Sequence, residues 1–598
     1  MTIEQKLEGV RAQMRTAGVH ACIIADVDPH QSEYVADRYR CRTWISGFSG
    51  SAGTVVVTLE DAGLWTDSRY FLEAEAALSG TSITLFKDGM PGVPPFIDWI
   101  CSRLVAGQAV GIDDAITSIT QFRSIQAACR THGISVNGGF DPIRGVWTDR
   151  PQSPLNRIFA HDERFAGQSR VARIAAVRHL MDERKVDCFL TAALDDVAWL
   201  FNIRGSDVAY NPVALAYAAV TPERALLFID AGKVPDEVRA ALVRDGVELA
   251  PYDSIAHFVP QLGSSGAGNT IAVLSLPPDR ISFRLLSSVP ETVRVVEETS
   301  YVTKLKARKN PTEQDNLRAT MVRDGVAMER FFYWLEASAG KEPLTEVSVA
   351  RQLLEVRARD ERFMGESFKT IAGFGAHGAI VHYGATEETD VPITVPGLLL
   401  LDSGGQYLDG TTDITRVVPL GPAPEQAIID YTTVLKAHIA LATAEFPEGT
   451  SGPQLDTIAR SVLWRSGMTY GHGTGHGVGY FLNVHEGPQR IGAQPQAVPL
   501  ETGMFISNEP GVYRTGEHGI RIENLVLVQE GRTTGFGKFL RFETITLCHL
   551  EPDLIDIRLL DKRELDWLNG YQTRVFEALG PHLSPNEQQW LRRKTRTL

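Results

Sequence analysis

The sequence predicts an α/β protein of several domains, closed by an α+β domain that carries the chemistry. Three observations predict it. Short apolar strands alternate with amphipathic helices through the first half of the chain. The same outline of helix, strand and Trp-containing turn then recurs once. Finally, a capped helix beginning at Asn310 separates both from a C-terminal part in which carboxylates sit in apolar runs and histidines sit beside glycines. At 598 residues the chain is too long for a single core.

Taken in order, residues 5–17 read as an amphipathic helix and Ala21–Ile24 as a buried strand. Thr54–Thr58 and Gly63–Asp67 read as further strands, and Ser68–Ala77 as a helix. The irregular stretch 145–164, with Pro151 and Pro154, ends a first domain over residues 1–160. A helix at 169–183 then leads into Cys188–Thr191 as residues 5–17 lead into Ala21–Ile24. Trp199-Leu200-Phe201 echoes Trp44-Ile45-Ser46, and Leu226–Asp230 echoes Leu64–Asp67. This is a diverged duplication, or a chance likeness of two α/β domains, giving a second domain over residues 161–305. Neither carries a phosphate loop or nucleotide fingerprint, so both are expected to cover or oligomerise rather than to do chemistry.

Residues 299–309 read as a linker, and the Lys304–Lys309 run as its solvated face. Asn310-Pro311-Thr312-Glu313 then starts a helix: asparagine caps, proline suits the first turn, and glutamate completes a capping box. Leu317, Met321, Met328, Phe331 and Leu335 give it one inward face to about residue 337. Residues 306–598 form the third domain, ending in a helical tail with Trp567, Leu568, Tyr571 and Val575 on one stripe.

The composition is that of an ordinary globular protein, and a net charge of −14 argues against a general nucleic-acid binder. Six cysteines without a Cys-x-x-Cys pair argue against a disulfide scaffold or a zinc knuckle and for a reducing compartment. The first ten residues lack the apolar core of a signal peptide, and no run of about 18 apolar residues exists. The expected location is the cytoplasm.

Leu398–Leu401 is an apolar strand ending at Asp402, and Thr411–Val418 a second strand with Asp413 inside it; a hairpin would set the two carboxylates side by side. The plainer reading makes Asp402 a turn residue and Asp413 exposed. Phe505–Asn508 again ends in a carboxylate, Glu509, which Pro510 biases toward an extended backbone. Ile520–Val528 places Glu523 inside an apolar strand, on the same face as Arg521, so a simple ion pair competes with a ligand role. Between these pairs lies Gly471-His472-Gly473-Thr474-Gly475-His476-Gly477-Val478-Gly479, whose glycines allow positive φ and close approach. Four carboxylates and His476 make a hard, oxygen-rich set that suits Mn²⁺, Co²⁺ or Zn²⁺ and suffices to bridge two ions. Two such ions about 3.5–4 Å apart hold a bridging hydroxide and polarise a carbonyl. His382, His472 and His485 are candidates to donate to an oxyanion or to move a proton. His377, His438 and His518 are set aside as structural.

In order along the chain, Ile380-Val381-His382-Tyr383, Leu401-Asp402-Ser403-Gly404-Gly405, Thr412-Asp413-Ile414-Thr415-Arg416, Gly473–Gly479, Val484-His485-Glu486-Gly487-Pro488, Ser507-Asn508-Glu509-Pro510-Gly511 and Gly519-Ile520-Arg521-Ile522-Glu523-Asn524 resemble the pita-bread metallopeptidases. That group holds aminopeptidase P, prolidase and methionine aminopeptidase. Trp65–Phe71, the total length and two creatinase-like N-terminal α/β domains resemble the three-domain cytosolic aminopeptidase P type, so the resemblance spans nearly the whole chain. It implies metal ligands at Asp402, Asp413, His476, Glu509 and Glu523, with His382, His472 and His485 lining the substrate site. It also implies two Mn²⁺ ions, a homodimer, and release of an N-terminal residue that precedes proline. Glu509 would accept the water proton and pass it toward the proline nitrogen. The rivals are a prolidase limited to dipeptides, for which no carboxylate-binding group is identified, a metal-free creatinase-like enzyme, and a non-catalytic peptide- or histone-binding relative. All five ligand positions are filled, which disfavours the last two.

Overall fold

A computed structural model describes residues 1–264, 271–493 and 498–598. The chain divides into two compact units. One holds Met1–Glu163 and Gln168–Lys304, the other Arg164–Gly167 and Leu305–Leu598.

The first unit contains the repeated outline. Helix α1 (Ile3–Ala17) starts where the Thr2 hydroxyl accepts the Gln5 N–H, and stops at Gly18, whose φ of 65° is left-handed. Leu7, Val10 and Met14 form its buried stripe. A six-stranded sheet follows: β1 (Ala21–Ala25), β2 (Thr54–Thr58), β3 (Ala62–Thr66), β4 (Thr84–Lys87), β5 (Ala109–Gly111) and β6 (Ser135–Asn137), in the order 4-3-2-1-5-6. Helix α2 (Arg170–Arg184), capped by Ser169, opens the second set. Its strands are β7 (Cys188–Thr191), β8 (Ala216–Val220), β9 (Ala225–Ile229), β10 (Val247–Ala250), β11 (Val273–Leu276) and β12 (Arg294–Glu297), in the order 10-9-8-7-11-12. In both sheets the second strand runs antiparallel to its two neighbours, and the other pairings are parallel. The two halves therefore share one topology. They meet where Phe122 stacks on Phe283, ring centroids 3.8 Å apart.

The expected linker is a correction. Tyr301–Ala307 is helical, and Lys306 and Lys309 are buried rather than solvated. The Lys306 ammonium lies 3.0 Å from Glu486 Oε2, and that of Lys309 pairs with Glu486 Oε1. Buried ammonium groups persist only with such partners, and this one comes from a distant part of the chain.

Helix α3 (Pro311–Ser338) opens the second unit as the sequence predicts: Asn310 Oδ1 accepts the Glu313 N–H at 3.0 Å, and the Glu313 carboxylate accepts the Asn310 N–H at 2.9 Å. Leu317, Met321, Met328, Phe331 and Leu335 are buried. Far along the chain, helix α4 (Lys562–Leu579) puts Leu568, Tyr571 and Val575 into the main core of this unit, with Trp567 packed against it. The tail stripe is thus core. All six cysteines are free and buried. Among the described residues no helix is long and apolar enough to cross a membrane.

Candidate metal centre

Two antiparallel ladders supply the carboxylates. In the first, β14 (Gly397–Ser403), flanked by β13 (Ile371–Phe374), pairs with β15 (Ile414–Leu420), placing Asp402 opposite Thr415. Asp402 is the penultimate residue of its strand. Asp413 stands just before β15 rather than inside a strand, and the link is not a simple hairpin, because Gly405–Tyr407 pairs with Gly410–Thr411 on the way.

The second ladder is interrupted. Strands β18 (Phe505–Asn508) and β21 (Asn524–Thr534) pair with Asn508 opposite Asn524; the same two segments pair again as β19 (Gly511–Arg514) and β20 (His518–Arg521), with Gly511 opposite Arg521. Glu509-Pro510 and Ile522-Glu523 lie in the gap. Pro510 has no N–H to give, so the ladder cannot run through it. Glu509 follows its strand as expected, its N–H donating to Thr474 O at 2.8 Å. Glu523 is not inside a continuous strand. Arg521 and Glu523 still share a face, both bonding the Thr415 hydroxyl, but the Arg521 guanidinium forms its ion pair with Asp402.

His476 sits on β16 (Gly475–His476), paired with β17 (Arg490–Ile491). Its loop glycines serve close approach. A Cβ on Gly475 would fall 2.0 Å from Ser507 O, and one on Gly477 2.0 Å from Glu486 O. None of Gly471, Gly473, Gly475, Gly477 or Gly479 has a left-handed φ.

These elements converge. Ligand atoms of Asp413, His476 and Glu523 lie within 4.8 Å of one another. His476 Nε2 is 3.4 Å from Asp413 Oδ2 and 3.6 Å from Glu509 Oε1. Its Nδ1 lies 3.0 Å from Gly477 O, a bond that puts the proton on Nδ1 and turns the Nε2 lone pair toward the carboxylates. Thr415 Oγ1 donates to Glu523 Oε2 at 2.8 Å. Arg521 also donates to Thr415 Oγ1 at 3.0 Å and to the Tyr513 hydroxyl at 2.8 Å.

Burial is the largest cause pushing all four carboxyls up. Asp402 rises to about 6, pulled back by Arg521 and pushed on by Asp413; Asp413 also rises to about 6. Glu509 is raised despite His476, and Glu523 is raised well above its ordinary value, with Asp413, Asp402 and Glu509 adding to burial. Like charges this close ionise together only beside a cation. Asp402 Oδ1 is buried with no hydrogen-bond partner. A crowded oxygen set with one inward imidazole, one orphaned carboxylate oxygen and no thiolate fits divalent cations of the Mn²⁺, Co²⁺ and Zn²⁺ kind.

Two further histidines border the cluster. The His485 ring stands perpendicular to that of His476, centroids 4.3 Å apart. His472 Nδ1 is 3.8 Å from Glu509 Oε2, and its Nε2 is 2.7 Å from the Tyr513 hydroxyl. His382 lies half-buried in the turn after Gly375–Ala379, next to Tyr383, whose hydroxyl donates to buried Glu346 at 2.7 Å. The histidines set aside are held elsewhere: His377 by Glu346, His518 by Asp430, and His438 by Asn524, with burial lowering His438 to about 3. Sequence reasoning missed Tyr513, which links His472 to Arg521; no local pattern marks it.

Residues 315–530 match metallopeptidase family M24, and residues 538–598 match the C-terminal region of its peptidases. Residues 6–146 and 149–313 each match the creatinase/prolidase N-terminal domain. Aminopeptidase P2 of Arabidopsis thaliana is 40% identical over 632 aligned residues, covering 100% of this chain and 89% of that one. A probable Xaa-Pro aminopeptidase P of Paracoccidioides brasiliensis (strain Pb03) is 39% identical over 99% of both chains. The solved X-prolyl aminopeptidase of Caenorhabditis elegans, described as a cytosolic enzyme with a di-nuclear active site, matches with a TM-score of 0.95 at 33% identity, over 100% of both chains.

Proposed function

Since the chain belongs to the aminopeptidase P group of metallopeptidase family M24, with two creatinase-like domains before a pita-bread metallopeptidase domain, we propose that it removes the N-terminal residue from peptides with proline in second place. The observation that carries this reading is the carboxylate quartet, three of its members buried and Glu509 half-buried, with the His476 Nε2 turned into it. Asp402, Asp413, His476, Glu509 and Glu523 would hold two divalent ions. When bound, these supply Lewis acidity and a water acidic enough to attack at neutral pH.

The chain's own groups do the rest. Glu509, bordered by His476 and His472, accepts a proton from the attacking water at a carboxylate oxygen and delivers it to the proline nitrogen. His382 or His485 donates to the carbonyl oxygen as charge develops there, and His472 faces the substrate. Proline offers no N–H, so the site reads ring shape. The oxygen-rich set suits Mn²⁺, the ion proposed, with Co²⁺ and Zn²⁺ as the alternatives. A homodimer and a cytoplasmic location belong to the same reading, and six free, buried thiols support a reducing compartment.

The test is hydrolysis of X-Pro-Y and longer peptides with chelator and with Mn²⁺, Co²⁺ or Zn²⁺ added back. Activity should vanish with chelator and return best with Mn²⁺. Activity that survives chelation, or is confined to X-Pro dipeptides, sinks the proposal.

A pH dependence follows. In metal-free protein Asp402 and Asp413 titrate near 6, above the unfolded value of about 3.9. A folded-state pKa raised in this way contributes stability that is present below the unfolded value and lost as pH rises through about 6. Bound cations cancel that loss. The Tm gap between metal-loaded and metal-free protein should therefore widen from about pH 5 to about pH 7.5. A gap independent of pH would rule these carboxylates out as ligands.

A further inference from the structure

We propose that Arg416 is a positioning residue for the metal centre, and that through it helix α4 sets the placement of Glu523. The inference rests on the metal-site reading above. Arg416 is on β15 opposite Leu401, the register position next to the Asp402–Thr415 pair, so it leaves the sheet on the face away from Asp402. It is 2% exposed. A buried cation ordinarily sits against a carboxylate. Among the described residues no carboxylate forms an ion pair with Arg416; Glu329 acts on it only at longer range, and its donors go to neutral oxygens.

Those oxygens belong to four segments, its own strand included. Nη1 donates to Glu523 O at 2.7 Å and to Thr415 O at 3.0 Å. Nη2 donates to Asn524 Oδ1 at 2.8 Å, Cys548 O at 2.9 Å and the Tyr571 hydroxyl at 3.1 Å. Nε donates to His549 O at 2.9 Å. Tyr571 comes from α4, and its hydroxyl lies 2.9 Å from Cys548 O.

The reason for such a hub is the interrupted ladder. Pro510 has no N–H to give across the gap, where the Ile522 N–H reaches Pro510 O at 3.4 Å and Glu523 stands outside the ladder. Instead the Glu523 N–H donates to Thr415 O at 3.2 Å, the Glu523 carboxylate accepts from Thr415 Oγ1 at 2.8 Å, and the Glu523 carbonyl accepts from Arg416. Two consecutive residues of β15 thus fix Glu523 front and back. The rigid fork of a guanidinium can span these carbonyls at once, whereas an ammonium cannot.

The test compares wild type, Arg416→Lys and Tyr571→Phe. Metal-free protein is titrated with Mn²⁺ by calorimetry and chelator competition, with Tm, kcat and KM measured in parallel. Arg416→Lys should weaken metal binding about 10–100-fold, the usual effect of losing an outer partner of a ligand. Tyr571→Phe, which removes one hydroxyl, should weaken it about 3–10-fold. In both, KM should hold and saturating metal should restore most of kcat. Variants that bind Mn²⁺ as wild type does, whatever their Tm, overturn the inference, because a merely structural role lowers Tm alone. Should Arg416→Lys not fold, Tyr571→Phe decides. Wild-type protein that binds no metal overturns the metal-site reading itself, an outcome distinct from wild type binding two ions and the variants matching it.

Discussion

Asp413→Asn should abolish metal binding and peptidase activity together. Asparagine keeps the volume and one acceptor oxygen but removes a charge from the middle of the cluster, where Asp413 faces both His476 and Glu523. The loss in kcat is expected to be about 10³-fold or more, the order that one preorganised electrostatic group contributes. The fold should survive. At about pH 7.5 the ionised Asp413 of metal-free wild type carries the burial penalty that raises its pKa. Metal-free Asp413→Asn should therefore melt no lower than metal-free wild type. Metal content, kcat and Tm on one preparation check this. An active variant without metal would end the metal-centre account.

The second large effect lies outside the cluster. Glu486→Gln should destabilise the second unit by about 3–5 kcal/mol, the cost of breaking a buried ion pair from one side. Gln keeps the shape, but the Lys309 ammonium, 3% exposed, is left with the Lys306 carbonyl and a neutral amide. Lys309→Met should cost less, because Glu486 keeps Lys306 at 3.0 Å. Urea unfolding of the two variants decides it. A Glu486→Gln midpoint within about 1 kcal/mol of wild type would mean that water, not the lysines, satisfies Glu486.

Much of the candidate site was legible because its members break local rules. Asp402, Asp413, Glu509 and Glu523 are charges beside apolar strand residues, and such charges need a partner. The glycines around His476 were legible too, although their purpose is contact with the Ser507 and Glu486 carbonyls rather than a left-handed turn. What failed was pairing across the chain. A simple Arg521–Glu523 ion pair competed with the ligand role of Glu523; the two do share a face, but the guanidinium pairs with Asp402, 119 positions away, which no local pattern shows. Lys306 and Lys309 looked solvated because their partner, Glu486, lies 177 positions beyond Lys309. The repeated sheets of the first unit were visible only in outline, since shared topology leaves apolar pattern behind but little residue identity.

The ligands' distribution along the chain bears on how the protein folds. Asp402 and Glu523 are 121 positions apart (523 − 402 = 121) and belong to separate ladders. Each ladder can close on its own, but the centre exists only after the long loop between them is closed. Metal capture is then a finishing step and not a nucleus. Until it happens, the ladders must dock against the mutual repulsion of their own acids. A refolding mixture starved of divalent cations should stall there, with both ladders formed and the last contact between them loose.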